Sequence, residues 1–104
     1  MYEKELEEHQ VYKKARDAYG FDFELDMLIE ECSEVIQAIS KMKREPDNDN
    51  HIRHFFEEVG DVENLFQQMK FWFPAMGICV NKDRKDKLDR LERIIDREKN
   101  EGIR

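Results

Sequence analysis

Two stretches of this chain have the apolar spacing of a helix, and each carries an acidic pair three residues apart. The first stripe is Leu25, Leu28, Cys32, Val35, Ile36, Ile39 and Met42, and it encloses Glu31 and Glu34. The second is Ile52, Phe55, Phe56, Val59, Val62, Phe66 and Met69, and it encloses Glu58 and Asp61. Carboxylates within apolar helices are costly unless something binds them, so a fold that buries these stripes must also accommodate the acids. Residues at i and i+3 project from one side of a helix and can hold a common ion. On ideal helices Glu31 and Glu58 each fall roughly 80° from the centre of their stripe, and Glu34 and Asp61 each roughly 140°, with the same hand. If the helices pack antiparallel through the stripes, all four side chains converge at one border of the core. Four carboxylates in a small volume repel at neutral pH, so either their pKa values rise or a divalent cation neutralises them.

The rest of the chain reads as helix as well. There are four glycines and two prolines, and no stretch alternates apolar and polar residues long enough to make a strand. The pattern predicts helices at about 3–19, 23–44, 51–73 and 82–99. Gly20 suits a C-terminal cap for the first, and Lys41, Lys43 and Arg44 favour the negative end of the second. The polar segment Glu45-Pro46-Asp47-Asn48-Asp49-Asn50 reads as a short turn, with Asp49 or Asn50 capping the third helix. Pro74 stops that helix, and Leu88, Leu91, Ile94 and Ile95 give the fourth an apolar side. The expected fold is all-α, a single domain over residues 1–104: a four-helix-type bundle built on an antiparallel helix pair. With 41% charged and 39% hydrophobic residues the core of such a chain is thin, and oligomerisation would complete the bundle.

Charge narrows the partners. The formal net charge is −7, and removing the four acids leaves about −3, a balance that argues against duplex nucleic acid. No apolar run is long enough for a membrane span and no secretory signal is visible, so a cytoplasmic location and no membrane partner are expected. Cys32 and Cys79 lack metal-ligand spacing, and Cys32 lies in the apolar stripe, which fits reduced packing thiols.

Glu30-Glu31-Cys32-Ser33-Glu34, followed after 23 residues by Glu58-Val59-Gly60-Asp61, resembles the E-E-x-x-E … E-x-x-D signature of MazG-like nucleoside triphosphate pyrophosphohydrolases. Tyr19-Gly20 is similar to the aromatic-Gly that often precedes this signature, with Tyr in place of the frequent Trp, and Lys87-Leu88-x-Arg90 to the basic segment that follows it. A single such module is expected over these residues. The resemblance implies Mg²⁺-dependent hydrolysis of a (deoxy)nucleoside triphosphate to the monophosphate and pyrophosphate, by attack of a metal-activated water at the α-phosphorus. It implies Glu31, Glu34, Glu58 and Asp61 as metal ligands, with Mn²⁺ as a substitute ion, and a homodimer or homotetramer. Hard oxygen ligands of this kind suit Mg²⁺. One of the acids Glu30, Glu31 or Glu34 is then the candidate catalytic base. Lys87 and Arg90, with Lys82 behind them, are candidates to hold the leaving pyrophosphate.

Other readings stay open. Within Phe71-Trp72-Phe73, Trp72 could stack a nucleobase, although such residues more often serve core or dimer contacts. His51 and His54 could meet a phosphate or metal but read more simply as first-turn polar groups. A surface salt-bridge explanation for the acids is weak, because the residues four on from Glu34 and Asp61 are Ala38 and Leu65. A carboxylate-bridged iron bundle would need Glu-x-x-His pairs, and none occurs. The alternative to the enzyme is a non-enzymatic helical dimerisation or interaction module.

Overall fold

A computed structural model describes residues 2–102 of the chain. Among them are α1 (Tyr2–Tyr19), α2 (Phe21–Arg44), α3 (Asp49–Trp72) and α4 (Pro74–Asn100), with no strand, as the all-α expectation required. No helix is long and apolar enough to cross a membrane among these residues. The chain divides into two compact units, residues 1–71 and 72–104. The first holds α1, α2 and α3 up to Phe71; the second holds α4 and the last residue of α3.

Gly20 alone joins α1 to α2. Its φ of 80° and ψ of 173° lie in a region essentially confined to glycine, and its N–H donates to the Arg16 carbonyl at 3.0 Å. One residue therefore completes the turn, and α2 starts at Phe21 rather than at the expected Phe23. The Tyr19 and Phe23 rings stack across the bend, their centroids 4.7 Å apart. At the other end of α3, Phe71 packs against the rings of His9 and Tyr12 on α1, at 4.7 and 5.8 Å between centroids.

The turn between α2 and α3 is fastened by polar groups. The Asn48 side-chain oxygen accepts the Asn50 N–H at 3.0 Å and, more loosely, the His51 N–H at 3.4 Å. Asn48 is thus the cap, one residue before the expected Asp49 and two before the expected Asn50, and α3 starts correspondingly earlier, at Asp49. The Asn48 amide also donates to Glu45 Oε2 at 3.0 Å, and His51 Nε2 lies 2.8 Å from the same oxygen. These two bonds, Asn48 first, hold the Glu45 carboxyl below its ordinary pKa.

The fourth helix departs most from expectation. It begins at Pro74, not near Lys82, because proline at the first helical position gives up an N–H that would have no partner there anyway. The Met76 N–H donates to the Phe73 carbonyl at 2.9 Å and opens the helix.

Shielded residues at alternating steps of four and three run along α2 and α3. On α2 they are Glu24, Leu28, Glu31, Val35, Ala38 and Met42; on α3 they are His51, Phe55, Glu58, Val62, Leu65 and Met69. This is the spacing of a helix-packing seam. It departs in part from the expected stripes: Leu28, Cys32, Val35, Met42, Ile52, Phe55, Val59, Val62 and Met69 are shielded, whereas Leu25, Ile36, Ile39, Phe56 and Phe66 are exposed. The seam is turned toward the carboxylates, Glu24 and Glu58 are buried within it, and Ile36 and Phe56 are left 65% and 57% exposed. A stripe chosen to be apolar throughout had merged this seam with its neighbour one residue on.

Candidate metal centre

Three of the carboxylates come together. One oxygen from each of Glu31, Glu34 and Glu58 lies within 4.8 Å of the others, so α2 contributes an i,i+3 pair and α3 a single buried acid. Glu58 is 8% exposed, and Glu31 and Glu34 are half-buried. Asp61 is exposed and lies outside that triplet, yet its charge acts on both Glu31 and Glu58.

The electrostatics are those of crowded carboxylates. Burial, followed by repulsion from Glu34, Asp61 and Glu58, raises the Glu31 pKa from 4.5 to about 7. A hydrogen bond shared with Glu34 leads the causes that raise the pKa of Glu58, followed by burial and by the charges of Glu34 and Asp61. His54 opposes them: its Nε2 lies 3.5 Å from Glu58 Oε1. Glu31 Oε2 and Glu58 Oε2 are buried with no hydrogen-bond partner. Orphaned buried carboxylate oxygens are expensive, and two of them within one cluster fit a hard divalent cation, which prefers oxygen donors.

The remaining candidates are placed as follows. Glu30 is exposed beside Glu31, and its carbonyl accepts the Ser33 hydroxyl at 2.7 Å. Lys82, Lys87 and Arg90 are exposed on α4, where Lys87 and Arg90 line one groove with Leu91 and Ile94. Trp72 is half-buried at the end of α3. His51 belongs to the turn, as its simpler reading held, whereas His54 stands at the acid cluster. The signal for His54 was its i,i+4 spacing to Glu58. Sequence reasoning missed Glu24 altogether, since a lone glutamate in the first turn of a helix looks like an ordinary dipole partner. Glu24 is 4% exposed, and burial raises its pKa. Comparison with family models, with characterised proteins and with solved structures finds no match to this chain.

Proposed function

We propose that this chain hydrolyses a nucleoside triphosphate to the monophosphate and pyrophosphate, with Mg²⁺ held by Glu31, Glu34 and Glu58 and with Asp61 at the exposed edge. The observation that carries the reading is the convergence of three carboxylates around two buried oxygens that nothing else satisfies. Glu31, Glu34 and Glu58 would hold Mg²⁺, which would supply countercharge to the substrate's phosphates. Glu31 Oε2 and Glu58 Oε2 are the oxygens most in need of a cation, and Glu34 lies close enough to both carboxyls to complete the set. Glu30, exposed and adjacent, is the acid left over to accept a proton from the attacking water. Lys82, Lys87 and Arg90 are proposed to neutralise the leaving pyrophosphate, and Trp72 to stack the base.

The reading includes an antiparallel α2–α3 pair completed by a second copy of the chain. Two contacts support the antiparallel sense: Glu24 meets Gln68 while Glu34 meets Glu58, so rising numbers on α2 match falling numbers on α3. The test is Mg²⁺-dependent pyrophosphate release from a panel of canonical and modified nucleotides, repeated with Glu34→Ala and Asp61→Ala. Turnover lost in Glu34→Ala and reduced in Asp61→Ala is expected. No turnover on any nucleotide would sink the enzyme reading and favour a helical interaction module, for which the exposed Ile36 and Phe56 side chains speak.

A further inference from the structure

Like charges in the cluster repel across α2 and α3 wherever its carboxyls are ionised, so contacts elsewhere must hold the two helices together. On the turn side, Glu45, Asn48 and His51 form one fastening, about 16 Å along the helix axis from Glu34. On the other side, about 10 Å from Glu31, stands Glu24. With its amide nitrogen turned to the carboxylate, Gln68 of α3 donates to both Glu24 oxygens, at 3.2 and 3.3 Å. Glu24 lies in the same buried seam as Glu31, two turns before it, and is 4% exposed. A buried carboxylate and a neutral amide are a poor choice for stability alone, because apolar residues of similar size usually do as well or better. Their value lies in direction. A two-pronged hydrogen bond fixes the rotation and register of one helix against the other, which an apolar contact leaves loose.

We propose that Glu24 and Gln68 form a clasp that positions the Glu31–Glu34–Glu58 cluster, closing the open end of the α2–α3 pair as the Asn48 turn closes the other. This rests on the metal-site reading above for its consequence but on the Glu24–Gln68 contact for its geometry. Both residues are positioning residues and touch no reacting atom.

The test uses the full chain and Mn²⁺ alone, with binding read by electron paramagnetic resonance. In the Glu24→Leu, Gln68→Leu double variant, helicity and the urea midpoint are retained or raised, while Mn²⁺ binds about tenfold more weakly, as when a metal site loses its supporting contacts. Exchanging the partners, Glu24→Gln with Gln68→Glu, restores the affinity to within about threefold. Distances between spin labels at positions 33 and 63, with Cys32 and Cys79 replaced by alanine, broaden in the leucine variant and narrow again in the exchange. An unchanged distance distribution in the leucine variant overturns the clasp. Should the unaltered protein take up no Mn²⁺, the metal reading fails by itself, and the label distances alone then decide the clasp.

Discussion

Glu31 is the residue at which burial and function pull hardest against each other. In the unfolded chain it ionises near 4.5, and in the folded chain only near 7, so between those values the folded state binds more protons. Stability therefore falls as pH rises through that window, and the loss is complete above it. Urea denaturation of the metal-free protein in a chelator, at pH 5 and at pH 7.5, is expected to show the decline, and Glu31→Gln to flatten it. Saturating Mg²⁺ at pH 7.5 recovers stability in the unaltered protein and not in the variant, since a ligand that binds only the folded state stabilises it. Parallel pH profiles for the two proteins would mean that the Glu31 carboxyl is not strained by its neighbours. The acids themselves were legible in the sequence because i,i+3 spacing on an apolar helix admits few bland explanations. Their depth was not. Glu24, Glu31 and Glu58 occupy seam positions that any apolar pattern skips, and only the burial of Ala38, Leu65 and Met69 on the same spacing reveals where the seam runs.

At the level of the helices, sequence periodicity located all four, and the differences lie at their ends. The ends turn on single residues. Asn48 reaches over two backbone N–H groups, and its replacement by alanine is expected to cost about 1 kcal/mol in denaturation experiments, the usual penalty for a lost N-cap. Because the same side chain also donates to Glu45, Asn48→Asp keeps the cap but sets a carboxylate against a carboxylate, and should recover only part of that loss. At Gly20 there is open space around a would-be Cβ, so crowding is not the issue. The backbone is. Gly20→Ala should cost on the order of 1–3 kcal/mol through its φ of 80° and ψ of 173° alone, and a midpoint equal to that of the unaltered protein would show that the bend relaxes. The start of α4 differs from expectation for a similar reason: Pro74 stops a helix arriving from its N-terminal side and also starts one leaving from its C-terminal side.

For the molecule as a whole, what matters is a second line of apolar residues beside the seam, exposed at Leu25, Ile29, Ile36, Ile39, Phe56 and Phe66 and half-buried at Cys32, Ile52 and Val59. On α2 it is Leu25, Ile29, Cys32, Ile36 and Ile39; on α3 it is Ile52, Phe56, Val59 and Phe66, each line displaced from the seam by one residue in the same direction. On an antiparallel pair, displacements of the same hand turn toward the same side, so the proposed arrangement gathers both lines into one face. Ile29 is 70% exposed, and among the described residues the buried apolar side chains are only Ala38, Leu65 and Met69. In the proposed assembly a second copy would cover this face with a helix pair of the same spacing. Sedimentation equilibrium is expected to give a dimer or tetramer, and Ile36→Glu to give a monomer, because a carboxylate at the centre of that face would be buried without a partner. A protein that sediments as a monomer before any substitution would leave Ile29, Ile36 and Phe56 in water, and the bundle reading would fall while the carboxylate cluster, built from one chain, would stand.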